Sequence, residues 1–278
     1  MRKNIWLAMA LIFGTMALGA CGTGNENKNM EEVSQEPEEE RQEEQKPEDA
    51  AAEEETTEAG GNIYVEVKQS KMEFEAEDGT VVLTVDRTVP VVTISNHAES
   101  AEAINEYINS AFPEYDEEML EIAKETYADL GKENWRGYAS GETFASERTD
   151  SAVISFTATY YWDMGGAHPN SGRCGLNFST ETGKILTLED VVIDKEAATA
   201  AINDFILEET KKEEYGGMFF EGYEESIGDI LTEDSWYLGD EGFHIIVNEY
   251  IISPHAAGIM DFVIPYGEAG FLKEEFRK

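Results

Sequence analysis

Basic side chains are scarce in this chain: 20 Lys and Arg stand against 59 Asp and Glu, a formal charge of −39 over 278 residues. A molecule of that sign repels nucleic acid and anionic lipid headgroups and draws basic partners toward it. The same charge also keeps a chain soluble beside an anionic envelope. Histidine occurs four times (His97, His168, His244, His255), with no pair at metal-ligand spacing. Neither a Gly-x-Ser-x-Gly elbow nor a His-Glu-x-x-His pair is present, so these two hydrolase signatures are missing. No apolar run reaches the roughly 20 residues that a membrane-spanning helix needs. Cysteine is limited to Cys21 and Cys174.

What is there begins with an export pattern. Met1-Arg2-Lys3-Asn4 is a short basic start, and Ile5 to Leu18 is an uncharged apolar stretch suited to a signal-peptide core. It ends in Leu18-Gly19-Ala20-Cys21, which resembles the lipobox of bacterial lipoproteins. Small residues at 19 and 20 admit the backbone to the signal peptidase, and the Cys21 thiol accepts the diacylglyceryl group. The expectation is a signal peptide over 1–21 and a mature chain lipid-anchored at Cys21 on the extracytoplasmic face of the cell membrane. The alternative is an ordinary secretory leader with an incidental cysteine. A mature lipoprotein carries at least two acyl chains, enough for stable attachment. With Cys21 lipidated, Cys174 is the only thiol, which excludes an intramolecular disulfide and a cysteine metal cluster. Cleavage also removes Arg2 and Lys3, taking the charge from −39 to near −41.

Residues 22–62 hold 15 Asp and Glu, three basic residues (Lys28, Arg41, Lys46) and almost no large apolar side chains, punctuated by Pro37, Pro47 and Gly60-Gly61. Such a segment cannot bury enough apolar surface to offset chain entropy, so a disordered acidic tether is predicted. From Ile63 the remaining 216 residues (278 − 62) suffice for a sizeable core. Strands are predicted at Ile63 to Val67, Met72 to Ala76, Val81 to Val85 and Val89 to Ile94, with Asp78-Gly79 as a turn and Pro90 near a strand start or on an edge. Apolar residues at three- and four-residue steps predict helices carrying Ala103 to Phe112 and Met119 to Leu130. Strands follow at Thr143 to Ala145, Ala152 to Tyr161 and Gly172 to Phe178. Thr187 to Asp190 reads as a capping box, and Asp194 as the cap of a helix burying Ala198, Ala201, Ile202, Phe205 and Ile206. A shorter helix is predicted from Glu224 to Leu231, then strands at Trp236 to Leu238, Phe243 to Val247, Tyr250 to Ile252 and Met260 to Ile264. Without strict βαβ alternation, the class is α+β: mixed antiparallel sheets packed with a few helices, in two consecutive subdomains.

His168 is the most tempting catalytic residue, with Asp163 upstream and Ser171 downstream. The plainer reading is a turn histidine in the Gly165-Gly166-Ala167-His168-Pro169-Asn170 loop between two strands. A zinc site would need His168 and His255 to meet and a carboxylate such as Asp163 or Asp261 to join them. No metal site and no cofactor are expected. Trp162, Trp236, Tyr160, Tyr161 and Tyr237 suit a sugar-stacking platform or an interface anchor, but most are expected in the core.

The stretches Gly165 to Asn170, Phe178, Thr182-Gly183, Leu186 to Asp190, Trp236-Tyr237, Phe243-His244-Ile245, Ile252 to Gly258 and Phe262 to Pro265 together resemble the extracytoplasmic domain of RsiV-type anti-sigma factors. The preceding region is similar to the domain paired with it there and in PdaC-type peptidoglycan deacetylases. The resemblance implies a PdaC-associated-like domain over 63–165 and an RsiV C-terminal-like domain over 166–278. It also implies a non-enzymatic binding module for lysozyme or another basic protein, contacted through Gly165, Gly166, His168, Pro169, Asn170 and Ser171 with Pro254, His255 and Ala256. Two departures are expected to matter. Only four residues precede the apolar stretch, too few to hold a sigma factor, and no catalytic domain follows Lys278. Family members typically read Pro-Tyr where this chain has Pro254-His255. The alternative function is cell-wall glycan or polysaccharide binding in envelope maintenance, with a hydrolase or deacetylase behind it. No nucleic acid partner is expected.

Overall fold

The computed structural model describes residues 57–59 and 62–278. The predicted signal peptide, Cys21 and nearly all of the predicted tether lie outside the described residues. Among these residues, no helix is long and apolar enough to cross a membrane.

Six strands form one sheet in chain order: β1 Thr57–Ala59, β2 Ile63–Glu75, β3 Val81–Ile94, β4 Tyr138–Thr149, β5 Val153–Asp163 and β6 Asn170–Ser179. Every neighbouring pair is antiparallel except β3 and β4, which run parallel. Between these two, α1 (Ala98–Ala111) and α2 (Glu117–Leu130) make the crossover a parallel pair requires. A short α3 (Leu188–Val191) and a longer α4 (Lys195–Glu209) follow β6. A second, antiparallel sheet closes the chain with β7 Trp236–Leu238, β8 Gly242–Val247 and β9 Met260–Pro265. The class is α+β.

Each pair of short strands expected on either side of Asp78-Gly79 is one long strand. Asp78 accepts from the Thr80 N–H at 3.0 Å and Gly79 takes a φ of +77°, so the turn is tight. In β3 the polar interruption Asp86-Arg87-Thr88 does not end the strand. Arg87 is 7% exposed, pairs with Glu142 directly opposite on β4, and donates to the Phe112 carbonyl at the end of α1. A buried cation with both partners in place keeps the strand continuous where periodicity alone reads a break. One half of the strand (Val82, Leu83, Val85) packs on Met119, Leu120 and Ala123 of α2; the other (Val92, Ile94) packs on Ile104 and Ile108 of α1. Pro90 lies beyond the last parallel pair, Thr88 with Thr143, where no strand needs its missing N–H.

The Thr187 capping box and the Asp194 cap form as expected. Ala201 is exposed, not on the buried face of α4, which is Ala198, Ile202 and Ile206. The predicted helix near Glu224 is a 3-10 turn, Tyr223–Asp229. The predicted strand Tyr250 to Ile252 is a turn instead: Tyr250 has a φ of +67° and its N–H donates back to the Ser253 carbonyl at 2.8 Å. A left-handed residue cannot continue a ladder.

The small sheet sits against β5 and β6 through backbone and side-chain bonds. Gly175 of β6 donates to the Asp234 carbonyl, and a Cβ at Gly175 would stand 2.1 Å from the Trp236 oxygen, so only glycine permits this approach. Asn177, 1% exposed, donates to the Trp236 carbonyl at 3.2 Å and accepts from the Leu238 N–H at 2.8 Å. Ser155 donates to the Leu238 carbonyl.

Candidate functional site

Two loops meet at one end of this assembly. The first, residues 164–169, joins β5 to β6. Asp163 accepts from the Gly165 N–H at 2.9 Å and Gly165 takes a φ of +75°, which turns the chain back. Gly166, His168 and Pro169 are exposed at its tip, while Asn170 and Ser171 are half-buried and already in the β5–β6 ladder. The second loop, residues 248–259, joins β8 to β9. Pro254, exposed, starts a single 3-10 turn over His255–Ala257, with Ala256 exposed and His255 partly covered.

The loops touch through their histidines. The His168 and His255 rings stack with centroids 4.0 Å apart and planes 11° apart, and Tyr250, 55% exposed, lies nearly parallel to His255 at 6.2 Å. Beneath the stack is Glu249, whose side chain is only 6% exposed. One of its oxygens accepts from Ser171 Oγ at 3.1 Å and the other from His255 Nδ1 at 2.5 Å. A carboxylate of the second loop that accepts both from its own His255 and from Ser171, on β6 just after the first loop, holds the second loop in register with the foot of the first. Its neighbour Asn248 fixes the second loop to β6: its Oδ1 accepts from the Arg173 N–H at 2.8 Å and its Nδ2 donates to the Arg173 carbonyl at 2.9 Å.

All the residues singled out from the sequence on these two loops therefore lie in one region. Tyr250 was missed because a strand was expected at Tyr250 to Ile252, and Asn248 and Glu249 because they fell in the short link between two predicted strands. The signal lay in Asn248-Glu249, two polar residues directly after the buried run Ile245 to Val247.

The carboxylates considered as zinc ligands are engaged elsewhere. Asp163 serves its own turn, and Asp261 belongs to a separate cluster on the second sheet. There Asp261 accepts from Tyr237 Oη at 2.6 Å and from His244 Nδ1 at 3.0 Å, with the Tyr237 and His244 rings stacked at 4.3 Å. Burial, followed by the bond to Asp261, pushes the Tyr237 phenol well above its usual range, so it stays a neutral donor. Among the described residues, no group of three or more His, Cys, Asp and Glu is placed to hold a metal ion. Of the aromatic residues considered as a platform, Trp236 and Tyr237 are buried, Tyr160 and Trp162 stack half-covered, and Tyr161 is exposed. Cys174 is buried on β6, and desolvation pushes its thiol up to about 12, which leaves it inert.

Comparison with known proteins gives the two halves of the chain their class. The domain family described as "Deacetylase PdaC" matches residues 76–171, and the one described as "Protein of unknown function (DUF3298)" matches residues 189–267. The chain thus carries a PdaC domain followed by a DUF3298 domain. A crystal structure of a DUF3298 family member from Bacteroides fragilis is similar with a TM-score of 0.56 at 20% identity, covering 77% of this chain and 94% of that one. A DUF3298 family protein from Pseudomonas aeruginosa is similar with a TM-score of 0.50 at 16% identity, covering 77% and 95%. No curated protein matches the chain at a significant level.

Proposed function

We propose that this protein is an extracytoplasmic binding module, held to the membrane through a lipid on Cys21, that grips a basic protein through the two loops carrying His168 and Pro254-His255. The observation that carries this reading is the clamp: Glu249 of the second loop binds its own His255 and Ser171 at the foot of the first loop, and His255 stacks on His168, so two loops 87 positions apart (255 − 168) present their exposed residues as one preorganised face. Preorganisation lowers the ordering cost of association. The exposed rings of Tyr250 and His168 offer rigid contact area, and the charge of −39 steers a basic partner toward them. Beside the second loop, Phe220 donates its N–H to the Ile252 carbonyl, which brings the exposed Phe220 next to that loop, in a stretch of chain that also carries the exposed Met218 and the exposed acids Glu213, Glu214, Glu221, Glu224 and Glu225. Exposed apolar side chains in an acid-rich stretch fit a basic protein surface. The resemblance to RsiV-type ectodomains makes lysozyme the most specific candidate, with His255 in place of the family's tyrosine as the altered contact.

The test is calorimetry of the soluble form lacking residues 1–21 with an animal lysozyme, at low and physiological salt. One-to-one binding that persists at physiological salt and weakens in His168→Ala or Pro254→Ala, with melting temperature unchanged, supports the reading. Binding lost on adding salt reduces it to non-specific charge attraction. The exposed, near-parallel Tyr250 ring favours a second reading, stacking on cell-wall glycan, which sedimentation of the protein with purified sacculi would reveal. Turnover of acetylated glycan, lost in His168→Ala, is what a deacetylase reading requires.

A further inference from the structure

The same pair of rings carries an inference that does not depend on any protein partner. Each histidine has its Nδ1 against an oxygen that can only accept. His168 Nδ1 faces the Pro169 carbonyl at 2.9 Å, and His255 Nδ1 faces the Glu249 carboxylate at 2.5 Å. Both Nδ1 atoms therefore carry the proton, and in each neutral ring the lone pair sits on Nε2. His168 is exposed and His255 partly so, and neither Nε2 has a hydrogen-bond partner among the described residues. This is the outer-sphere arrangement typical of metal-binding histidines, in which a carbonyl or carboxylate on one nitrogen fixes the tautomer and raises the basicity of the other.

We propose that His168 and His255 form a two-imidazole site for a late first-row divalent cation (Zn²⁺, Cu²⁺ or Ni²⁺), with Glu249 and the Pro169 carbonyl as its outer sphere. Two neutral nitrogens select such ions over Mg²⁺ and Ca²⁺, which take oxygen ligands. His168 keeps its bond to the Pro169 carbonyl and pivots about it so that its Nε2 and that of His255 face one ion; water fills the remaining positions. The site differs from the zinc centre weighed above, because the carboxylate stands behind a ligand and is not one. It rests on His168 and His255, one from each of the two loops, and so on residues of this chain alone.

The test is a Zn²⁺ titration of the full-length chain by calorimetry, with the Cu²⁺ form examined by electron paramagnetic resonance. Expected are one equivalent of Zn²⁺ bound above the weak background of the acidic chain, and a Cu²⁺ spectrum with coupling to two nitrogens. His168→Ala and His255→Ala should each abolish that equivalent, and Glu249→Gln should weaken it by about 10- to 100-fold, the usual cost of losing an outer-sphere partner. His97→Ala, altering a histidine at the start of α1, should leave it intact. Melting temperatures confirm that each variant is folded. No stoichiometric Zn²⁺ uptake, or uptake unchanged in both His168→Ala and His255→Ala, overturns the proposal. Because no lysozyme or glycan is present, either result leaves the binding-module reading to its own test.

Discussion

Asn177 offers the sharpest test of how the two sheets are held together. Its amide is 1% exposed and spans the gap between β6 and β7, donating to the Trp236 carbonyl and accepting from the Leu238 N–H. Asn177→Asp preserves the shape and the acceptor but removes the donor and adds a charge. The Trp236 carbonyl then loses its amide partner, at a cost of about 1–3 kcal/mol. A carboxylate with a single N–H donor in a desolvated site adds a further penalty of similar size, so about 4 kcal/mol in all is expected near neutral pH. For a folded part of this length that lowers the melting temperature by roughly 8–16 °C. The pH dependence identifies the cause. Burial raises the new carboxyl's pKa in the folded state above its unfolded value, so the charge penalty is full above the folded pKa and fades as pH falls toward the unfolded one. Protonation there also restores a donor for the Trp236 oxygen. Thermal unfolding followed by circular dichroism from pH 7 down to pH 4 should show the gap between variant and native chain narrowing. An unchanged melting temperature at pH 7, or a gap that widens in acid, would refute the reasoning.

Arg148, 3% exposed, bonds Asp150, Tyr266 Oη and the Phe276 carbonyl, so Arg148→Ala should cost about 2–3 kcal/mol in urea unfolding by leaving the buried Tyr266 Oη and the Phe276 carbonyl without that donor and freeing the chain end, while Asp150 keeps the Ala152 and Val153 N–H groups. Burial pushes the Asp150 carboxyl up, but bonds from the Val153 N–H, the Arg148 guanidinium and the Ala152 N–H outweigh it and hold the group below its ordinary 3.8. Its contribution is present above the unfolded pKa and lost as pH falls through the lower folded value, so the acid limb of a stability–pH curve should flatten in Asp150→Asn. The Cys174 thiol, raised to about 12 by burial, should resist a thiol-specific chromogenic disulfide reagent in the native chain and react at once in guanidinium; rapid native labelling would mean that β6 opens readily.

Local chemistry was well written in the residues. Asp78-Gly79, the Thr187 box and the Asp194 cap each depend on contacts within a few positions, and each formed where the chain called for it. Features that depend on distant partners were not legible. Arg87 looks like a strand-breaking charge until Glu142 and the Phe112 carbonyl, 55 and 25 positions away, are known to meet it. Tyr250 looks like the start of a strand because a tyrosine at φ +67° leaves no trace in a hydrophobicity pattern. The loop residues of the candidate site were readable singly from their Gly and Pro content. Their register was not, because it rests on Glu249, one carboxylate among 59 acidic residues.

Three asparagines explain how loops so far apart in the chain acquire a fixed relation. Asn105 bonds both the N–H and the carbonyl of Val92 on β3; Asn248 does the same to Arg173 on β6; Asn177 bridges to the N–H of Leu238 and the carbonyl of Trp236 on β7. A primary amide offers one donor and one acceptor at nearly the spacing of a peptide group, so each side chain stands in for a residue of a neighbouring strand. Sheet edges with free N–H and C=O groups invite pairing with other chains, and capping them blocks that route. At β6 the cap has a further consequence. The strand that Asn248 grips begins with Asn170 and Ser171, and the residue after Asn248 is Glu249, which bonds Ser171. One edge strand therefore sets the height of both loops, and the stacked rings stand on a backbone-level register that neither loop could set alone.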